Sequence, residues 1–248
     1  MDYTKRFDGK GEIYAKARPK YSLALFDYLK NTLHIPQDSV FADVGSGTGI
    51  FTEQLLNEGY RVYAVEPNYD MRKKAEEKLK DNKNFTSVVG CEKDMNLPSN
   101  SVEYITAAQA FHWFDSAAFK KECKRVLKPN GKVVIVYNFR INDVECTKAL
   151  STLHHKYNPD FHGFSNGVTD KTFIDFFGGK CDIFRSDNSL SYDREAYVNR
   201  VLSSSYSLKE DDPRYEEYLA EINDIFDKFE YDGRITIPNK TVAYIGEV

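Results

Sequence analysis

Two acids and three glycines set the chemistry that this chain can do. Asp43 precedes a turn carrying Gly45, Gly47 and Gly49, and Glu66 stands about 20 residues past Gly45. Glycines this dense allow left-handed backbone and leave no Cβ to hold a ligand off the main chain. A carboxylate at Glu66 can accept from both hydroxyls of a ribose. The dinucleotide pattern G-x-G-x-x-G fails, because its third glycine would fall at Ile50. Asp43 beside the turn would repel a diphosphate but suits a ligand with an ammonium group.

A second stretch, Gln109 to Asp115, carries one amide, one imidazole and three aromatics, including the only Trp of the chain. So rich a loop at a strand end points to a ligand. His112 could take a proton from an acceptor, since its reference pKa is about 6.5. Its ring could equally cap the helix that follows Asp115. His154 and His155 are adjacent, diverge on a helix and make a poor metal pair, so a surface role is expected. The four cysteines form no C-x-x-C pair, and reduced thiols without metal are expected.

These groups need strands and helices to position them. Val40–Val44 is a short apolar run, as a buried parallel strand would be, and a helical pattern follows from Ile50. Arg61–Val65 alternates as a second strand, with a charged helix after Asn68. Phe85–Val89, Ser101–Ala108 and Lys132–Tyr137 read as strands three to five, and residues 116–127 as a helix capped by Asp115. Helices are expected at 20–33, 143–156, 169–177, 193–206 and 213–229. Residues 182–186 with 189–191 read as a sixth strand. Residues 234–238 with 242–245 read as the last strand, a hairpin or bulged segment with Pro238 on an edge.

Asp43, Gly45, Gly47, Gly49 and Glu66 together resemble motif I and the motif II acid of the class I S-adenosylmethionine (SAM)-dependent methyltransferases. Residues 108–115 resemble the fourth-strand motif of the group that contains the ubiquinone/menaquinone and trans-aconitate enzymes. The likeness is strong over 41–139. It implies an α/β, Rossmann-like doubly wound sheet of seven strands, the last antiparallel, with helices on both faces and an N-terminal lid. It further implies one domain over 1–248: lid and first helix at 1–35, SAM-binding core at 36–139, acceptor-side helices at 140–232 and last strand at 233–248.

The resemblance assigns roles by position. Gly45, Ser46, Gly47 and Gly49 would pass close to the amino-acid and ribose parts of SAM, with Asp43 near the ammonium and Glu66, followed by Pro67, on the ribose diol. Glu92 and the Cys91 backbone N–H would read the adenine, unless Glu92 is an ordinary loop acid or cap. Met71 would pack on the ring or in the core. Ala108 and Gln109 would line the methyl side, and His112 and Trp113 would face the acceptor. Tyr14 and Arg18 would close over the methionine carboxylate as a lid, the alternative being a terminal extension whose helix starts at Pro19.

A net charge of −4 and a pI near 5.8 argue against a general nucleic-acid binder. No apolar run is long enough to span a membrane, and the first residues show no apolar signal core. The expectation is a cytoplasmic monomer or homodimer that uses SAM, releases S-adenosylhomocysteine (SAH) and methylates a small molecule. The alternatives are a protein or RNA methyltransferase and a nucleotide- or SAM-binding protein without methyl transfer.

Overall fold

In a computed structural model, residues 18–164, 167–204 and 206–248 are described. β1 (Val40–Val44) is buried along its whole length, as a strand covered on both faces must be. β2 (Arg61–Val65) and β4 (Val102–Ala108) pair with it in parallel on either side. β3 (Phe85–Val88) adds beyond β2, and β5 (Leu127–Arg140) beyond β4. β6 (Asp182–Asp187) and β9 (Asn239–Gly246) complete seven strands in the order β3-β2-β1-β4-β5-β9-β6, with β9 antiparallel to both neighbours. The chain reverses direction of travel across the sheet between β1 and β4, which leaves a crevice at the carboxyl ends of the strands.

Helices cover both faces. α1 (Leu23–Asn31), α2 (Ile50–Asn57) and α3 (Tyr69–Leu79) bury Leu25, Phe26, Phe51, Leu55 and Leu79 on one face with Phe41 and Val134. α4 (Ser116–Val126) and α6 (Asp170–Phe176) bury Phe119, Cys123, Phe173 and Phe176 on the other with Ala42 and Ile135. A third core joins α5 (Glu145–Tyr157), α7 (Arg194–Leu202) and α8 (Tyr215–Phe229). On α8, Tyr218, Ile222 and Phe226 recur every fourth residue and are buried. Each stabilises the packed state by about 1.5–3 kcal/mol of apolar transfer.

Several local expectations change. The first helix starts at Leu23, so Pro19 is not its first residue. The expected sixth strand is two elements: β6 stays in the main sheet, while β7 (Leu190–Tyr192) pairs with β8 (Ile235–Ile237) in a separate ribbon. The expected last strand also divides, because Pro238 has no N–H to donate and β9 begins only after it. The fifth strand, expected from Lys132, already begins at Leu127, and Lys128–Gly131 is an irregularity within it between the Val102–Leu127 and Tyr104–Lys132 pairs.

The surface role expected of His154 is overturned. Consecutive helical positions diverge, so His155 is exposed while His154 is 1% exposed, with Nδ1 3.3 Å from the Tyr218 hydroxyl. Burial first, then Arg140, Arg200 and His155, push its pKa down to about 3. The unfolded chain therefore binds the extra proton near pH 6.5 and the folded chain does not. Stability from this group is present above about pH 6.5 and lost as pH falls towards 3. Between pH 8 and pH 5 the loss is about 2 kcal/mol, or roughly 4–8 °C in Tm for a chain of this size. His154→Phe should flatten that part of the acid slope in thermal melts. An unchanged slope would show that the folded ring titrates freely.

Candidate active site

A cavity of about 440 Å³ opens at the carboxyl ends of β1, β2, β4 and β5 and runs to the helices after β5. Its wall at one end is the turn after β1, where Gly45 (φ +68°) and Gly47 (φ +57°) hold left-handed backbone. Gly45 donates through its N–H to the Val65 carbonyl at 2.9 Å, which ties the turn to the end of β2. Arg18, Asp43, Gly45, Ser46, Gly47, Glu66, Pro67, Met71, Cys91, Glu92, Ala108, Gln109 and Trp113 all line this cavity. Gly49 and His112 do not. Tyr14 lies outside the described residues.

Glu66 is 8% exposed and braces the turn. Its Oε2 accepts from the Gly47 N–H at 2.9 Å, and Oε1 accepts from the Asn68 N–H at 2.8 Å. Burial raises its pKa, and the two backbone donors and Arg72 pull the other way. Each oxygen retains a lone pair for a further donor. Asp43 is deeper, at 1% exposed. Its Oδ2 accepts from the Thr52 hydroxyl at 2.6 Å and Oδ1 from the Thr106 hydroxyl at 2.8 Å, linking β1 to α2 and β4. Burial pushes its pKa up to about 6, against the pull of those hydroxyls, so the side chain is an anion at neutral pH.

Gly49 instead caps α2 at φ +78°, and a Cβ there would meet Leu79 and Ala75. Its role is to let α2 approach α3. Cys91 reaches the cavity, but its N–H donates to the Asp94 carbonyl at 2.8 Å. The expected donation from that N–H to a ligand base is therefore overturned. Gln109 sits at φ +53°, an uncommon conformation for a residue with a Cβ. Its N–H bonds the Val136 carbonyl at 2.8 Å and its Nε2 the Asn138 carbonyl at 3.3 Å, so the strained position is held from β5.

His112 is the middle residue of a short 3-10 turn, Phe111–Trp113, next to Tyr137 of β5. The Tyr137 hydroxyl accepts from the His112 N–H at 3.0 Å and lies 2.8 Å from its Nδ1. With the Tyr137 proton turned to Nδ1, the ring proton sits on Nε2. Burial, with Arg18 nearby, lowers the ring pKa to about 4. The neutral ring has no nitrogen free to take a proton in this arrangement. Ring-labelled His112 should show no NMR titration between pH 5 and pH 8. A wild-type midpoint near 6.5 would contradict the assignment.

The sequence reading missed the other end of the cavity: Asn138, Phe139, Arg140 and Asn142 after β5, Phe164, then Arg200, Tyr206 and Asn239. Arg140 closes a strand and could have been suspected from its position alone. Arg200 lies on a helix with an ordinary pattern, and nothing local marks it.

The three acids Asp43, Glu66 and Glu92 line the cavity together with the backbone of the glycine turn. That suits a nucleoside carrying positive charge and fits a diphosphate poorly. Residues 42–135 match the family described as "Methyltransferase domain". A methyltransferase-like protein of uncharacterised function from Schizosaccharomyces pombe is 27% identical over 240 residues, which is 94% of this chain and 92% of that protein. A solved Anaeromyxobacter dehalogenans protein, provisionally named a type II methyltransferase, shares the fold at a TM-score of 0.69 with 22% identity, covering 93% of this chain and 97% of that one. Phosphoethanolamine N-methyltransferase 2 of Haemonchus contortus, solved with SAM, shares it at 0.56 with 14% identity, covering all of this chain and 60% of that one. The matched stretch carries every lining residue from Asp43 to Phe114, and the match, the relatives and the shared fold together support a SAM-dependent methyltransferase.

Proposed function

We propose that this enzyme methylates a small molecule, bound in the same cavity as SAM beyond Gln109 and Trp113. The observation that carries this is the cavity itself, which continues past the cofactor end into a recess walled by Phe139, Arg140, Phe164, Arg200 and Tyr206. A volume of about 440 Å³ lies in the range of small-ligand sites, and a groove for a folded protein or RNA is not needed. The phosphoethanolamine enzyme, by its name, also acts on a small molecule.

Bound SAM supplies a sulfonium methyl, which passes to an acceptor lone pair as the carbon–sulfur bond breaks and its electron pair stays on sulfur. The chain's part is to bind, align and keep water out. Glu66 would accept from the ribose hydroxyls on its remaining lone pairs while it holds the turn. Asp43 would offset the positive charge of the amino-acid end. Glu92 and the Cys91 side chain, with Met71, would border the base. Ser46 and Gly47 would contact the amino-acid and ribose parts through main chain, and Pro67 would fix the Glu66 backbone. Ala108 and Gln109 would flank the methyl, and Arg18, with Tyr14 from the lid, would take the methionine carboxylate. His112 becomes a positioning residue: Tyr137 holds its turn so that Trp113 faces the acceptor. One domain over 1–248 and a cytoplasmic location go with this reading, and among the described residues no helix is long and apolar enough to cross a membrane.

The test is transfer of tritiated methyl from SAM into a cell extract, followed by acid precipitation. Label should appear in the soluble small-molecule fraction. Label in precipitated protein or RNA would overturn the acceptor assignment.

A further inference from the structure

Among the described residues, several surface arginines and two cavity arginines are held differently. On the surface they meet carboxylates: Arg125 pairs with Glu122, Arg185 with Asp170, Arg194 with Asp227 and Arg214 with Asp212. In the cavity Arg140 and Arg200 do not. Arg140, at the end of β5, lays its guanidinium over the Phe164 ring at 4.3 Å, and its buried Nη1 has no hydrogen-bond partner among the described residues. Arg200, on α7, lines the same recess and is paired with no carboxylate among the described residues. The charges that act on it are Arg18 and Arg140, both positive, with Tyr192 and Tyr206 near by.

Such an arrangement is costly. Two half-buried guanidiniums set near one another without a carboxylate destabilise the fold unless an anion meets them. Among the described residues, the acids that line the cavity do not do so. Asp43 lies in β1, and Glu66 and Glu92 follow β2 and β3, on the far side of β4 from Arg140. His154, packed below, is held neutral and adds no charge. A guanidinium is a planar fork that matches the paired oxygens of a carboxylate or phosphate, and Phe164 fixes the plane of one of them.

We propose that the methyl acceptor is a small oxyanion, a carboxylate or a phosphomonoester, whose charged group docks on Arg140 and Arg200. This rests on the small-molecule reading above and names its substrate class. The anion serves as the anchor. Its charge replaces the missing carboxylates, and a neutral analogue of the same shape leaves both guanidiniums unmet.

The experiment is calorimetry on the full chain in three steps. First, SAH is titrated into wild type. No binding there would remove the methyltransferase reading itself, a failure distinct from the next two. Second, succinate, citrate and glycerol 3-phosphate are titrated into the SAH complex, with succinamide as the neutral control. At least one anion should bind ten-fold or more tighter than succinamide, and which one binds separates a carboxylate from a phosphate acceptor. Equal or absent binding of all of them, with SAH bound, overturns the proposal. Third, Arg140→Gln and Arg200→Gln should each weaken that anion ten-fold or more while SAH affinity stays within three-fold, and Arg200→Lys should recover part of the loss. A matching loss of SAH affinity would assign the pair to the methionine carboxylate and overturn the proposal too. Thermal melts of each variant separate loss of binding from loss of fold.

Discussion

Glu66→Ala is expected to weaken SAM and SAH binding at least ten-fold. Two losses add in this variant. The carboxylate no longer accepts from the ribose hydroxyls, a charge-assisted contact of about 1.5–3 kcal/mol. The N–H groups of Gly47 and Asn68 also lose the oxygens that now order them at 2.9 and 2.8 Å. The turn after β1 is then free to drift from the geometry the ligand needs. Glu66→Gln should fall between the two, because it retains one acceptor oxygen but turns an amide N–H₂ against a backbone donor. Calorimetry with SAH, beside a thermal melt without ligand, checks both parts. Affinity that stays within two-fold of wild type would remove Glu66 from the cofactor site.

The glycines should separate by what stands behind them. Gly45, Gly47 and Gly49 all have positive φ, so any side chain costs about 1–2 kcal/mol in backbone strain. A Cβ on Gly45 would come to 2.7 Å from the Ala110 Cβ, and one on Gly49 to 2.9 Å from Leu79 Cδ1. A Cβ on Gly47 would meet nothing within 4 Å. Gly45→Ala is therefore expected to destabilise by about 2–5 kcal/mol, because overpacking adds to strain, and Gly47→Ala by about 1–2 kcal/mol. Urea midpoints give the order. Gly47 lines the cavity, so its variant should fold yet bind SAH poorly. Equal midpoints for the two variants would show that the turn yields at Ala110 without cost.

The cofactor half was legible in the sequence because its signals are local. β1, its turn and α2 follow one another in 18 residues of alternating pattern, and their glycines mark the backbone itself. What was not legible needed a partner distant in the chain. Asp43 is identifiable as an acid before a turn, but its links to Thr52 and Thr106 exist only once β4 lies beside β1. His112 read equally as a base or a cap until Tyr137, buried in β5, was seen to hold its Nδ1. The Cys91 N–H was assigned to a ligand because nothing in the sequence announces the bridge to Asp94. Arg140 and Arg200 converge from a strand end and a helix 60 residues apart, and no periodicity encodes that meeting. β7 and β8 are three residues each and depend on one another for pairing.

The place of β9 in the sheet bears on the order in which the chain can assemble on a ribosome. β9 follows every other strand in sequence, yet it lies inside the sheet, between β5 and β6. β1 to β5 pair with one another and can close as they emerge. β6 has no ladder partner until β9 arrives, more than 50 residues later. The recess that holds Arg140 gains its Asn239 wall at the same moment. A nascent chain can thus have its cofactor half in register while its acceptor half still waits on the last strand, and methyl transfer cannot begin before synthesis has passed that point.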